Sequence, residues 1–241
     1  MFEELKKFRH EHKYIEPEIN LKGMESRIRV LMKHDRHVGE KGYYSIRSLY
    51  FDDYSDRYLN ENIDGTDERS KWRIRIYDRS DSFISLEQKI RKSDLISKRS
   101  CAIDRDIYES IMNKSATISD SNPPLLNLFI TEMKTHALHP AVIVEYDRTP
   151  FAAAEGNTRV TFDRNIRSSP EIDALLSDRE LSSRPVLASG HNLIEVKYDA
   201  FLPDQIAHTI EHGRMRRETF SKYVLARKFP YDGVVAANYR I

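Results

Sequence analysis

Arg73 and Arg75 lie two residues apart in the stretch 71–77, where basic and apolar side chains alternate. Alternation with β-branched and aromatic residues at the apolar positions predicts a strand. Trp72, Ile74 and Ile76 then share one face, and Lys71, Arg73, Arg75 and Tyr77 share the other. Guanidinium groups so placed stand about 7 Å apart at the ordinary rise of a strand. They repel one another unless an anion, or a set of carboxylates, sits between them. A lone strand of this kind is also what the solvated face of an antiparallel sheet looks like.

The pattern recurs along the chain. Ser85, Glu87, Lys89 and Arg91 share a face within 84–91, and Arg9, Glu11 and Lys13 share one within 9–15. Arg159, Thr161 and Asp163 stand opposite Val160 and Phe162, and Glu195, Lys197 and Asp199 opposite Val196 and Tyr198. Tyr146 and Arg148 end one face of 142–148. A simple solvated face would mix in more Thr, Ser and Gln. Basic groups in excess of carboxylates, at period two on strand after strand, suit a closed or nearly closed barrel with a polar lumen. Such a lumen would bind a polyanion, with the carboxylates available to a metal.

The elements that must carry these faces follow from pattern and punctuation. Pro17 suits a first helical position, and Leu21, Met24, Ile28, Leu31 and Met32 recur at helical spacing through 17–33. A strand at 43–51 ends at Asp52-Asp53, and a short helix follows at 54–62. The basic strand, a turn at 78–81 and a strand at 83–91 read as an antiparallel pair, which sets Arg73 and Arg75 near Glu87 and Lys89. After a polar loop at 92–97 and a strand at 98–103, Asp104 caps a helix that runs to Met112. Pro123-Pro124 opens an apolar helix to about His136, and strands follow at 141–148, 158–164 and 191–198, with a short helix at 170–177. Two C-terminal helices, 203–212 and 218–229, flank Gly213 in a basic region holding Arg214, Arg216, Arg217, Lys222, Arg227 and Lys228.

Composition bounds the rest. A chain of 241 residues with 39% apolar side chains is long enough for one sizeable domain. Charged residues make up 32%, yet the net charge is only +1, so any anion site must come from local clustering rather than general basicity. Cys101 is the sole cysteine, which excludes an internal disulfide and suits a reducing compartment. It reads as a bystander thiol, and His136 and His139 as loop histidines without supporting ligands. No apolar run reaches the roughly 18 residues of a membrane span, and the N-terminal residues lack the apolar segment of a signal peptide. The expected location is the cytoplasm. The aromatic residues read as the exterior core of the barrel, with no stacking platform for nucleic acid.

Eight pieces then occur in order: Lys13-Tyr14, Ile-Arg-Ser-Leu-Tyr-Phe-Asp at 46–52, Arg-Ile-Arg-Ile-Tyr at 73–77, Glu87-x-Lys89, Tyr146-x-Arg148-x-x-Phe151, Arg-Val-Thr-Phe-Asp at 159–163, Glu195-Val-Lys197 and Ser221-Lys222. Over about residues 9–226 the chain resembles the VTC (vacuolar transporter chaperone) domain, the polyphosphate polymerase domain of the triphosphate tunnel, or CYTH-like, superfamily. The resemblance implies an α+β fold, an antiparallel β tunnel barrel open at both ends with helices packed outside, as a single domain over 1–241. It implies transfer of the γ-phosphoryl group of ATP to a growing polyphosphate chain, with a divalent metal, Mn2+ or Mg2+. By position, Lys13, Arg73, Arg75, Lys89, Arg148 and Arg159 resemble the catalytic tunnel groups. Tyr146, Lys197, Ser221 and Lys222 resemble phosphate contacts, and Glu195 the metal ligand.

The family has a further basic residue where this chain has Thr219, a departure for which Arg216 or Arg217 could compensate. Two rival readings share the tunnel: a triphosphate or polyphosphate hydrolase with water as acceptor, and a non-catalytic polyphosphate sensor. Eukaryotic relatives act with membrane channels. The resemblance therefore leaves open a separate membrane-protein partner that holds the domain at the inner face of a membrane.

Overall fold

The computed structural model describes residues 8–211 and 215–228. Its elements run β1 (Arg9–Pro17), α1 (Glu18–Leu31), β2 (Lys33–His34), β3 (Tyr44–Asp52), α2 (Arg57–Ile63), β4 (Glu68–Tyr77), β5 (Ser80–Lys92), β6 (Leu95–Ile103), α3 (Arg105–Met112) and α4 (Pro124–His136). They continue with β7 (His139–Ala153), β8 (Thr158–Ser169), β9 (Arg184–Pro185), β10 (His191–Tyr198), α5 (Asp204–Glu211) and α6 (Lys222–Lys228). Among the described residues, eight strands close in the order β7-β3-β4-β5-β6-β1-β10-β8, and β8 pairs back onto β7. Every neighbour in that ring is antiparallel.

Alternation along each strand decides what faces where. Trp72, Ile74 and Ile76 point out of the ring, fully buried, and Trp72 meets Phe129 of α4 at 5.1 Å between ring centroids. A second apolar cluster joins Leu21, Met24 and Ile28 of α1 to Val160 and Phe162 of β8 and to Ile206 and Ile210 of α5. The apolar outer faces thus pack between sheet and helices, and the lumen carries the polar faces together with Tyr44, Ile46, Tyr50 and Tyr146. The resulting α+β tunnel with outer helices is the architecture expected from the sequence.

Local chemistry sets the turns. Asp78 and Arg79 both take positive φ, 50° and 56°, and Tyr77 pairs with Ser80. This is a two-residue hairpin loop whose twist matches that of its strands. Asp104 accepts a bond from the Ile107 amide at 2.8 Å, as a cap does. Asp52 and Asp53 do more than end β3. Asp52 accepts from the amides of Tyr58 and Leu59, and Asp53 from those of Ser55 and Arg57, so together they satisfy the start of α2.

Several boundaries differ from the sequence expectation. β7 runs on through Pro150 to Ala153 because β8 pairs with it along that length. β6 begins at Leu95, since Ser93, at φ 51°, turns the chain in place of a longer loop. The helix expected at 170–177 shrinks to one tight turn at Ile172–Ala174. Beside it the buried Arg47 donates to the carbonyls of Ala174, Leu175, Ser177 and Arg179. The last helix starts at Lys222, not Glu218, because residues 217–218 bond to the edge of β1: Tyr14 bridges to Arg217, and the Glu218 amide donates to the Lys13 carbonyl at 2.8 Å. That edge is free because β1 and β6 share only Arg9↔Ile96 and His10↔Leu95. Gly213, Arg214 and Phe229 lie outside the described residues. Cys101 is half-buried and free, and burial pushes its thiol pKa up. No helix among the described residues is long and apolar enough to cross a membrane.

Candidate functional site

The ring encloses a cavity of about 370 Å³. Lys13, Arg73, Arg75, Lys89, Arg148, Arg159, Tyr146, Lys197, Ser221, Lys222 and Glu195 all line it, although they come from seven strands and helices. Arg9, Lys71 and Lys98 line it too, which makes eleven Lys and Arg side chains against one lining carboxylate, Glu195. Further carboxylates reach these cations from within the wall. Eight of the eleven fall into three groups, each gathered on a shared acid or pair of acids.

The first group surrounds Glu87, on the strand paired with β4. Arg73 Nε donates to Glu87 Oε2 at 2.7 Å, Lys98 Nζ to Oε1 at 2.7 Å, and Arg75 Nη1 stands 3.7 Å away. Arg75 also donates to Ser48 Oγ (3.1 Å) and to the Tyr146 hydroxyl (3.3 Å), while Arg73 donates to the Tyr50 hydroxyl (3.1 Å). Burial works against ionisation of Glu87, but Arg73, Arg75 and Lys98 overcome it and hold the carboxyl well below its usual range.

The second group joins Asp163 and Glu195. Arg148 makes a fork to both oxygens of Asp163, each at 2.6 Å, and reaches Glu195 Oε2 at 3.3 Å. Lys222 Nζ lies 2.7 Å from Asp163 and 3.1 Å from Glu195, and 4.6 Å from the Tyr146 ring centroid. Burial opposes charge on these acids, and the surrounding cations keep both carboxyls below their ordinary values. Burial would also lower the Lys222 pKa, yet Asp163 and Glu195 raise it.

The third group is a ring of lysines on Glu11. Lys89 Nζ donates to both its oxygens at 2.8 and 3.0 Å, and Lys13 and Lys197 stand at 3.0 and 3.2 Å. Burial, then repulsion from Lys13 and Lys197, outweighs Glu11 and brings the Lys89 pKa down to about 7. Lys71 has no such acid. It is half-buried with an amine that donates to Ser221 Oγ (3.0 Å) and Asn62 Oδ1 (3.2 Å), and no ion pair forms there among the described residues. Desolvation, followed by Lys89, Lys13 and Arg73, pulls its pKa well below the ordinary lysine value. Arg159 sits nearer the surface, on Asp35 (3.1 Å) and the Tyr44 hydroxyl (3.0 Å).

In this arrangement acids orient cations without cancelling them. Each carboxylate is shared by two or three Lys or Arg groups, so a net positive field stays in a space screened from water. Forked arginines fit phosphate oxygens in pairs, and lysines add point charge. No cluster of three or more His, Cys, Asp or Glu side chains placed to hold a metal occurs among the described residues. Glu195 shares one ammonium, Lys222, with Asp163 and another, Lys197, with Glu11.

Sequence reasoning placed Glu11, Glu87 and Asp163 on the right faces but named none of them as a site residue, and it left Lys71, Lys98 and Tyr50 out of the site. Lys71 carried a signal, because it alternates in step with Arg73 and Arg75. Lys98 and Tyr50 stand out only once β6 and β3 are seen to close on β5 and β4. Ser221 is not inside a helix. Its hydroxyl and carbonyl accept from the Val224 and Leu225 amides at the entry to α6. Thr219 lines a second cavity of about 270 Å³ that shares Lys13, Lys71, Lys89 and Ser221 with the first.

The VTC domain family model matches residues 8–231. No curated protein matches the chain in sequence. Among solved structures, a Hippeastrum protein described as a candidate adenylyl cyclase with a dominant triphosphatase activity aligns at a TM-score of 0.54 and 12% identity, over 92% of this chain and 95% of that one. A candidate adenylate cyclase from Bacillus halodurans gives 0.49 at 12% identity, over 86% and 88%. A Pyrococcus horikoshii protein gives 0.48 at 14% identity, over 90% and 97%. At 12% identity the likeness to the Hippeastrum protein is one of fold, the antiparallel tunnel with helices outside.

Proposed function

The chain belongs to the VTC domain family, and from that footing we propose that it is a polyphosphate polymerase acting on ATP within its tunnel. The observation that carries this reading is the excess of Lys and Arg side chains, eleven against one lining carboxylate, in the tunnel cavity. Phosphoryl transfer asks little covalent work of a protein and much positioning and charge neutralisation. A terminal oxygen of the polyphosphate chain attacks the γ-phosphorus of ATP, a P–O bond forms there, and the bond to the β–γ bridging oxygen breaks as ADP leaves. Arg73, Arg75 and Arg148 are the groups to fork onto phosphate oxygens along that line. Lys13, Lys89 and Lys197 share their charge with Glu11 and are free to turn toward a stronger anion. Tyr146, which accepts from Arg75, keeps its hydroxyl hydrogen for phosphate.

Glu195, the carboxylate that lines the cavity, could give a divalent metal one oxygen, because Mg2+ and ions like it take one or two carboxylates and draw the rest from substrate phosphates and water; both oxygens of Asp163 are held by Arg148. Bound there, such an ion would supply charge neutralisation to the transferring phosphoryl group. The tunnel's own residues bind and align the phosphates.

Hydrolysis is the second reading. The wall acids Glu11, Glu87 and Asp163 favour it, and the Hippeastrum protein is described as a triphosphatase. Incubation with ATP and Mn2+, following ADP, free phosphate and long-chain polyphosphate together, separates the two. ADP with chain growth supports the polymerase. ADP with matching free phosphate and no chain supports the hydrolase. Tripolyphosphate binding without turnover would overturn both in favour of a sensor.

A further inference from the structure

The lumen-facing positions change character at one end of the tunnel. On β4 the inward face runs from Lys71 through Arg73 and Arg75 to Tyr77, the last lining residue on that strand. On β3 the corresponding end is Tyr44, and on β5 it is Phe83, which shares its face with Ser85 and Glu87. Three aromatic rings thus cluster where three neighbouring strands reach the mouth. The Tyr44 and Tyr77 rings meet edge to face at 5.7 Å, and Tyr77 and Phe83 lie 6.3 Å apart at 32°. Tyr44 is buried and Tyr77 half-buried, while Phe83 remains 52% exposed. An open phenylalanine at the rim of a charged cavity is apolar surface still to be covered.

The cations begin immediately inside. Arg75 lies two positions inward of Tyr77 on the same face, about 7 Å along the strand. Arg159 donates to the Tyr44 hydroxyl at 3.0 Å on the far side of the mouth. An apolar, flat-faced surface next to a run of phosphate-binding groups matches a ligand with a flat base at one end and phosphates at the other.

We infer that Tyr77 and Phe83, backed by Tyr44, form a nucleobase platform that stacks the base of ATP and directs its triphosphate toward Arg75 and the tunnel interior. The Tyr44 hydroxyl is already held by Arg159, and the platform takes the base by stacking. With the base held at this mouth, nucleotide enters from this side, and the polyphosphate end of the reaction lies on the side of Lys71. The inference rests on the proposed phosphate chemistry of the cavity.

The test compares two probes, the non-hydrolysable β,γ-imido analogue of ATP and inorganic tripolyphosphate, by titration calorimetry on the full chain. Phe83→Ala is expected to weaken the nucleotide analogue about tenfold, equal to about 1.4 kcal/mol and within the range of one stacked base. Tripolyphosphate affinity is expected to stay unchanged, and Phe83→Tyr to restore the nucleotide. Phe83 is exposed, so its truncation leaves the core intact, and Tyr77→Leu gives a second reading of the same ratio. Equal loss for both probes, or no loss for the nucleotide, overturns the platform while the cavity reading stands. Failure of the wild-type chain to bind either probe overturns the cavity reading and the platform with it.

Discussion

Lys222→Met keeps the length of the side chain and removes the one ammonium that joins Asp163 to Glu195. With contacts of 2.7 and 3.1 Å to that nitrogen, the two carboxylates stand no more than about 6 Å apart. At an effective dielectric of about 20, two such charges repel by about 3 kcal/mol. Removing one partner of a buried ion network costs about 3–5 kcal/mol. Arg148 still holds both acids, which places the expected loss at the lower end, about 3 kcal/mol. For a chain of this size each kcal/mol moves Tm by about 2–4 °C, so the melting temperature is expected to fall by about 6–12 °C at pH 7.

The sign of the pH dependence is also set. In the wild type both acids have depressed pKa values, so they remain ionised from pH 7 to pH 5 and their contribution holds across that window. Without Lys222 the repulsion pushes one member of the pair up. Its folded pKa then exceeds its unfolded value, and the variant gains stability as pH falls. The gap between wild type and variant should therefore narrow from pH 7 to pH 5 in paired thermal melts. Adding Glu195→Gln to Lys222→Met should recover most of the loss at pH 7 and remove the pH response. A loss under about 1 kcal/mol, a gap equal at both pH values, or no recovery in the double variant would refute the account of Lys222 as the cation between two acids.

Three further outcomes are expected. Arg75→Ala should weaken tripolyphosphate binding tenfold or more, since a hydrogen bond to a charged group is worth about 1.5–3 kcal/mol, and should leave the fold intact because Glu87 keeps Arg73 and Lys98; unchanged affinity by calorimetry would sink the tunnel reading. Lys89, at about 7 in the free tunnel, must take up a proton when an anion binds beside it, so tripolyphosphate affinity should fall as pH rises from 7 to 9 and flatten in Lys89→Arg; a slope unchanged in that variant counts against the assignment. Gly156→Ala should destabilise by more than about 1 kcal/mol without altering phosphate affinity, because its φ is +61° and an added Cβ would run into the Phe201 carbonyl oxygen; a melt within 1 °C of wild type would contradict that clash.

Period-two alternation was enough to sort side chains between lumen and exterior. Trp72 and Arg73 face opposite ways because adjacent strand residues must, and no contact with other strands is needed to know it. The same rule put Glu11, Glu87 and Asp163 on inward faces. Helix positions were legible where local chemistry is decisive, as at Asp104 and Pro124. What the sequence by itself could not determine was which acid gathers which cation. Glu11 holds Lys89 across 78 residues of chain, and Lys222 reaches Glu195 across 27. Those partners are chosen by ring closure and strand stagger, which are properties of the whole sheet. The start of α6 is decided the same way. Residues 217–218 have ordinary helical character, but the free edge of β1 offers backbone bonds that the helix cannot match. The aromatic mouth is the third case: Tyr44, Tyr77 and Phe83 lie on separate strands, and only the antiparallel register brings their ends to the same rim.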